Sequence, residues 1–276
     1  MTEIYTLDQN YFRSEELKQL IEDRPKAKFL IPDAALLEMC KGPQWRETMR
    51  GSLATLSSIP GRVSVSLSVG VAFQMECAEL KSMEGRLVDK AFTKVVRRAM
   101  NDLKAGSDSP AGLGLIAAHI EEIQPDIEKH ELNHVKNQEK FLKRDGLLKT
   151  VLGPTASKEL RQTPPDEHRL GAIYSMAFEC ATVFLRKKGF SDVRIKGFLK
   201  TKPLVLRYFI SCFWHNMEWV SKGGIDSRPA ARITNDLIDQ DYVITASFFG
   251  KLLTKDTPVA RAYSEMKQLL AIQGAI

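Results

Sequence analysis

The sequence predicts a three-layer α/β domain with a parallel sheet, built from both chain ends and interrupted by a large, mostly α-helical insertion. Short β-forming runs alternate with helical patterns over the first 70 residues. Residues 71–223 repeat apolar residues at spacings of three and four, which is typical of helices. A helix, a strand and a helix then follow residue 224, so the α/β pattern returns at the end of the chain.

The first 70 residues have the order strand, helix, strand, helix, strand. "EIYTLD" predicts a strand, and Ser14 is placed to cap the helix "SEELKQLIED". "AKFLIPD" predicts a second strand stopped by Pro32, with Asp33 placed to cap the helix "AALLEMC". After the helical "QWRETMRGSLATLSS", "GRVSVSLSV" predicts a third strand. This βαβαβ order indicates a parallel sheet with helices on its faces.

The C-terminal segment completes the predicted sheet domain. "AARITNDLIDQDYVITASFF" predicts a helix, "GKLLTKD" a short strand and "PVARAYSEMKQLLAIQ" a closing helix. Gly, Pro and Ser cluster in "AGSDSPAG", "LGPTAS", "RQTPPDE" and "VSKGGIDSRP", where breaks are expected. We therefore assign residues 1–70 and 224–276 to the α/β domain and residues 71–223 to the helical insertion.

Cysteine usage and hydropathy indicate the cellular compartment. The four cysteines lie far apart without C-x-x-C spacing, which favours a reducing compartment. The first residues, "MTEIYTLDQNYF", lack a basic stretch followed by an apolar one, and the longest apolar run is broken by Arg207 before it reaches the length of a membrane span. We expect a cytoplasmic protein with no membrane partner. The formal charge of +6 is compatible with a polyanionic partner.

Carboxylates mark the ends of the predicted strands. Asp8 ends the first strand, Asp256 ends the last, and Glu38 lies one turn into the helix after the second strand. In an open parallel sheet, ligands bind in the crevice outside the carboxyl ends of the strands. Residues from opposite ends of the chain are therefore expected to converge there.

The last predicted helix before the final strand adds three more acids. Asp236 and Asp239 are three residues apart and share a helix face, whereas Asp241 lies about 140° round from Asp236. Clustered carboxylates suit a hard divalent cation, Mg²⁺ or Mn²⁺. Such ions serve phosphodiester hydrolysis by lowering the pKa of the attacking water and stabilising the leaving oxygen.

Three motifs resemble the PIN-like nuclease domains: "YTLDQNYF", "FLIPDAALLEM" and the terminal "ND-x-x-D … LLTKD". The resemblance covers roughly the first 60 and last 45 residues. It implies a metal-dependent endoribonuclease that leaves a 5′-phosphate and a 3′-hydroxyl, as in toxins, RNA-processing enzymes or defence effectors. The implied catalytic and metal-binding acids are Asp8, Glu38, Asp236, Asp239 and Asp256, with Asp241 as a reserve ligand in place of Asp239.

Each of these acids also has a purely structural interpretation. An Asp at a strand end often caps the next helix or turn, and Glu is a good helix former on solvated faces. The PIN-like half could then be degenerate, which makes a non-catalytic PIN-like and helical interaction module the first alternative. The insertion, far larger than this compact domain normally carries, is expected either to hold substrate or to dock a regulatory protein.

A second motif points to different chemistry. His130, Glu131 and His134 match H-E-x-x-H, in which two histidines one helical turn apart chelate zinc. A zinc metallopeptidase is therefore the second alternative. Glu139, Glu159 and His168 are the candidate third ligands, but the surrounding charged sequence favours a solvated helix face.

One basic segment is a candidate RNA-binding surface. Residues 186–202 interleave basic residues with Phe190 and Phe198, a combination that follows a phosphate backbone while aromatic rings stack on bases. The alternative is helix ends with snorkelling lysines and two core phenylalanines. The basic residues are Arg186, Lys187, Lys188, Arg194, Lys196, Lys200 and Lys202. The aromatic "YFISCFWHNMEW" predicts a core or an oligomer contact, so a homo-oligomer is also considered.

Overall fold

A computed structural model describes residues 3–40, 43–106, 112–116, 118–119, 167–222 and 229–271, with positions 139, 155 and 158. Helices and strands are numbered along this described part of the chain. Their order is β1 Ile4–Leu7, α1 Glu15–Asp23, β2 Lys28–Ile31, α2 Asp33–Met39, α3 Trp45–Leu56, β3 Val63–Val65, α4 Val69–Glu79, α5 Lys90–Lys104, α6 Glu167–Lys187, α7 Asp192–Leu199, α8 Leu204–Ser221, α9 Ala230–Ala246, β4 Gly250–Leu253 and α10 Thr257–Ala271.

The four described strands form one parallel sheet in the order β3-β2-β1-β4. This confirms the predicted α/β class with a parallel sheet. β1 lies between β2 and β4, with Ile4 opposite both Lys28 and Gly250. The sheet is therefore built from both ends of the chain, as the sequence predicts.

Strands β1, β2 and β3 form because most of their side chains are buried, whereas the residues of β4 are exposed or half-buried. Leu7, Phe29, Ile31, Val63 and Val65 are completely buried. Strands covered by helices on both sides show such nearly continuous apolar runs instead of a strict alternation. Burying each of these side chains stabilises the fold by roughly 1.5–3 kcal/mol.

Helix starts follow local rules, with one difference from the prediction. The Ser14 hydroxyl accepts the Leu17 N–H at 3.1 Å, which confirms it as the cap of α1. Asp33 is instead the first residue of α2, and Pro32 is the N-cap. Pro32 has an extended backbone and its carbonyl accepts the Ala35 N–H, so the helix begins one residue earlier than a cap at Asp33 requires. Asp33 then stabilises the first turn through its charge.

The chain divides into two compact units. The sheet unit comprises Met1–Ala72, Met83–Pro125 and Asp241–Tyr263; the helical unit comprises Phe73–Ser82, Asp126–Gln240 and Ser264–Ile276. α5 belongs to the sheet unit, where the Thr93 hydroxyl accepts the Val65 N–H at 2.9 Å and the Arg97 guanidinium donates to the Val63 carbonyl at 2.8 Å. The predicted domain boundaries at residues 70 and 224 stay a prediction.

The core of the helical unit contains the aromatic run of α8. Trp214 and Trp219 are buried, which confirms the predicted core position for these two, while Tyr208, Phe209 and Phe213 are half-buried. Their indole N–H groups donate to Glu265 at 2.6 Å and to Asp236 at 2.7 Å. A buried Arg169–Glu218 ion pair of 2.5 Å lies in the same unit. None of the described helices has the length and apolar character needed to cross a membrane.

The Thr93 contact gives a test of the sheet unit. We expect Thr93→Val to lower the free energy of unfolding by about 1–3 kcal/mol, because the buried Val65 N–H would lose its acceptor. Urea denaturation measures the change. Thr257→Val, the same substitution at an exposed residue, should stay within about 0.5 kcal/mol of wild type. Equal stability of the two variants would contradict this contact.

Candidate functional site

Polar residues follow three of the four strands at the carboxyl edge of the sheet. Asp8 follows β1 and continues its pairing, because its N–H donates to the Leu253 carbonyl at 3.0 Å. Ser66 follows β3 in the same way, with its N–H on the Ile31 carbonyl at 3.0 Å. Thr254 follows β4. The edge at which ligands bind in open parallel sheets therefore carries a carboxylate and two hydroxyls.

Asp8 is a buried carboxylate held on several sides. Its Oδ2 accepts a hydrogen bond from the Thr254 hydroxyl, and the backbone N–H groups of Gln9 and Asn10 also bind it. Burial nevertheless raises the pKa of Asp8 above its ordinary value, and the negative charge of Glu38 raises it further. The hydrogen bonds therefore only partly offset the cost of placing an ionised acid here.

Glu38 is connected to the turn that follows Asp8 by the hydroxyl of Tyr242. The Tyr242 hydroxyl donates to Glu38 Oε2 at 2.7 Å and accepts the Gln9 N–H at 3.2 Å. Burial raises the pKa of Tyr242 well above its ordinary value, and the charges of Glu38 and Asp8 add to the effect. Tyr242, Glu38 and Asp8 thus form one electrostatic group, although 204 residues separate Tyr242 from Glu38.

Asp256 lies beyond β4 and acts as a helix cap. Its Oδ1 accepts the Val259 N–H at 3.1 Å in the first turn of α10. Its own N–H donates to the Thr254 hydroxyl oxygen at 2.9 Å, and that hydroxyl in turn donates to Asp8. Asp256 therefore shares a hydrogen-bonded turn with Asp8, while one of its carboxylate oxygens supports α10.

The three acids of α9 fall into different units. Asp236 Oδ2 accepts the Trp219 indole N–H at 2.7 Å, a contact within the helical unit, to which Asp239 also belongs. Asp241 belongs to the sheet unit and directly precedes Tyr242. The sheet unit thus gathers four of the six predicted acids: Asp8, Glu38, Asp241 and Asp256.

This edge carries oxygen donors of the kind that hard divalent cations prefer. In the described part of the chain, no three His, Cys, Asp or Glu side chains converge closely enough to hold a metal ion. Mg²⁺, however, is usually bound by one or two carboxylates together with water and substrate phosphates. Asp8 and Glu38 supply two such carboxylates, and their mutual repulsion is the kind that a cation relieves.

The predicted RNA-binding residues lie around α7 in the helical unit. Six of the seven are exposed and Lys202 is half-buried. Arg186 pairs with Asp192 at 2.9 Å, and Arg194 lies over the Phe190 ring at 5.4 Å. Phe198 is buried, so it is a core residue, as the alternative interpretation predicts. Only Phe190 remains as a candidate stacking ring, and RNA binding stays a prediction.

The H-E-x-x-H motif cannot be placed, since His130, Glu131 and His134 lie outside the described residues, as does Glu159. Of the candidate third ligands, His168 and Glu139 are exposed. The zinc interpretation therefore stays a prediction.

Two residues of the site were not among the predicted ones. Thr254 lies inside the quoted "LLTKD" motif, and Tyr242 lies in the apolar run that follows Asp241. A tyrosine among Val, Ile and Ala in a buried helix needs a hydrogen-bond partner for its hydroxyl. That requirement is the signal in the sequence by which Tyr242 could have been found, but it does not name the partner.

No protein-family model matches this sequence, and searches of curated proteins and of solved structures gave no match either.

Removing the Asp8 charge should stabilise the metal-free protein. The pKa of folded Asp8 is raised, so its ionised form destabilises the fold above that pKa, and the effect fades as pH falls through it. We expect Asp8→Asn to raise Tm by roughly 1–3 °C in EDTA at high pH. Thermal unfolding as a function of pH measures this difference in Tm between Asp8→Asn and wild type.

Asp256→Asn is the matched control, because Asn caps helices as well as Asp does. It should leave Tm nearly unchanged at every pH. A lower Tm for Asp8→Asn than for wild type, independent of pH, would contradict the argument.

Proposed function

We propose that this protein is a Mg²⁺- or Mn²⁺-dependent nuclease of the PIN-like type that hydrolyses RNA phosphodiester bonds, with its metal site on the sheet unit. One observation carries the proposal. Asp8 and Glu38, from different elements, are brought into electrostatic contact at the carboxyl edge of a parallel sheet and are linked through Tyr242 and the Gln9 N–H.

The cost of this arrangement supports a ligand role for both acids. Two carboxylates held near each other, one of them buried, destabilise the metal-free fold. A bound divalent ion would neutralise them, lower the pKa of an attacking water and offset charge on the phosphate. An arrangement that is unfavourable until a cation binds is typical of a functional site.

The remaining residues have positioning roles in this proposal. The Thr254 hydroxyl and the backbone N–H groups of Gln9 and Asn10 fix the Asp8 carboxylate. The Asn10 side-chain oxygen accepts the Lys255 N–H at 3.1 Å, which ties the turn after β4 to the turn after β1. Asp256 follows that turn and is the further acid available at this edge.

We assign the third acid to Asp241 instead of Asp236 or Asp239. Asp236 already accepts the Trp219 N–H within the helical unit. Asp241 belongs to the same unit as Asp8 and lies on the turn of α9 whose tyrosine contacts Glu38. The exposed basic residues around α7 are the proposed contacts to the RNA backbone, or to a regulatory partner that controls cleavage.

A non-catalytic interaction module is the second candidate function. Two of the predicted acids make structural contacts, Asp236 to Trp219 and Asp256 to the first turn of α10. These contacts are expected if the acids serve only the fold. The two candidates differ in whether the protein binds a divalent ion and cleaves nucleic acid.

A cleavage assay separates the candidates. Labelled RNA and single-stranded DNA are incubated with wild type, Asp8→Asn or Glu38→Gln in Mg²⁺, Mn²⁺ or EDTA. We expect metal-dependent RNA cleavage that falls by more than about 100-fold in both variants, since outer partners of metal ligands alone account for 10–100-fold. Glu22→Gln, the same change as in Glu38→Gln at an exposed residue of α1, should cleave like wild type.

Absence of cleavage by the wild-type protein has two interpretations, which Mn²⁺ binding separates. A wild-type protein that binds Mn²⁺ through Asp8 and Glu38 but cleaves nothing would require a partner or a specific substrate. A wild-type protein that neither binds Mn²⁺ nor cleaves would contradict the nuclease and favour the interaction module. Cleavage of DNA alone would correct the substrate and leave the metal site in place.

The assignment of the third acid is tested by comparing two neighbouring substitutions. We expect Asp241→Asn to reduce Mn²⁺-dependent cleavage by more than about tenfold, because a ligand is lost. Asp239→Asn, an identical change two residues earlier on the same helix, should cleave like wild type. Initial rates at subsaturating Mn²⁺ measure both. A larger loss of cleavage in Asp239→Asn than in Asp241→Asn would assign the ligand role to Asp239.

A further inference from the structure

Tyr242 is completely buried, and both hydrogen-bonding directions of its hydroxyl are assigned. The Gln9 backbone N–H can only donate, so at 3.2 Å it occupies a lone pair of the phenolic oxygen. The hydroxyl has a single proton, and that proton faces Glu38 Oε2 at 2.7 Å. The two neighbours therefore fix the direction of the O–H bond without any need to observe the hydrogen.

We propose that Tyr242 is a positioning residue for the proposed metal site, where it holds the Glu38 carboxylate in the orientation that binds an ion jointly with Asp8. This inference rests on the proposed function, because it concerns the same site. Tyr242 does not touch the reacting atoms in this account. It acts through Glu38, and it is coupled to Asp8 through the neighbouring Gln9 N–H.

Tyr242 can hold the Glu38 carboxylate in place because its own ring is fixed. Glu38 lies on α2 and is only half-buried, and a glutamate side chain has several rotatable bonds that must be fixed before its carboxylate can serve as a preorganised ligand. The Tyr242 ring is completely buried and has no such freedom. A hydrogen bond from a rigid donor is thus the device that restricts the Glu38 carboxylate.

Tyr242 is distant in sequence from the residues that it links. It lies in the last turns of α9, whereas Glu38 lies on α2 and Asp8 follows β1, so one hydroxyl links three separate segments of the sheet unit. A buried tyrosine hydroxyl needs a hydrogen-bond partner, and a backbone carbonyl would satisfy that need without a charge. Here the hydroxyl is placed between a carboxylate and the backbone N–H that follows a second carboxylate.

The test is Mn²⁺ binding by Tyr242→Phe, which removes the hydroxyl and keeps the ring. Free Mn²⁺ is followed by its electron paramagnetic resonance signal, with purified protein and no nucleic acid. We expect the dissociation constant for Mn²⁺ to rise by about 10-fold. This is the lower end of the range seen when a residue that hydrogen-bonds to a metal ligand is removed. In the cleavage assay, added Mn²⁺ should restore most of the lost activity, because affinity is weakened and the ligands remain.

Tyr263→Phe is the matched control. Tyr263 is a half-buried tyrosine of the same unit, on α10, and the variant should bind Mn²⁺ like wild type. If wild type binds Mn²⁺ and Tyr242→Phe binds it equally well, the positioning role is overturned while the proposed function stands. If wild type binds no Mn²⁺, both are overturned.

If Tyr242→Phe does not fold, the ultraviolet absorption of the wild-type tyrosines provides a second test. Mg²⁺ added to wild type should change the tyrosine band of the ultraviolet difference spectrum, because an ion on Glu38 alters the hydrogen bond that Tyr242 donates. The change should persist in Tyr263→Phe and vanish in Glu38→Gln. A tyrosine band that does not respond to saturating Mg²⁺ would overturn the positioning role.

Discussion

The parallel pairing of β1 with β4 is the constraint on which the rest of the sheet unit depends. It joins strands from opposite ends of the chain, with Ile4 opposite Gly250, and so closes a loop of nearly the whole sequence. Loop-closure entropy opposes this pairing, and it grows only slowly with loop length. The apolar side chains of β1 and its neighbours offset that cost. Gly250, with φ of +104°, lets the chain enter β4 where an L side chain would be strained.

This pairing also determines the chemistry of the edge. Because Asp8 continues the ladder beyond β1, the Thr254 hydroxyl beyond β4 meets its carboxylate. α9 returns to the sheet unit at its last turns and brings Tyr242 to Glu38. The edge therefore combines a buried acid, a second acid and a tyrosine. Burial of the Asp8 carboxylate, together with the nearby charge of Glu38, raises the pKa of Asp8, and the unfavourable ionised pair is the physical basis of the proposed cation site.

Local rules predicted much of this arrangement. Apolar strand patterns, the Ser14 cap and the position of Asp8 at a strand end all depend on neighbouring residues, and the structure has each of them. Long-range contacts were not predictable in the same way. The helical period groups Asp236 with Asp239, but it does not tell which turn of α9 reaches the sheet unit. Nor does the sequence pair Tyr242 with Glu38, since a contact across 204 residues leaves no local pattern.

The central claim is that Asp8 and Glu38 bind one divalent ion together. The most direct measurement is the anomalous X-ray signal of Mn²⁺ in crystals of the protein soaked with that ion. The account predicts a peak bonded to carboxylate oxygens of both residues, at roughly the 2.0–2.2 Å typical of small hard cations. Crystals that bind Mn²⁺ elsewhere, or not at all, while the Tyr242–Glu38 hydrogen bond is intact would contradict it.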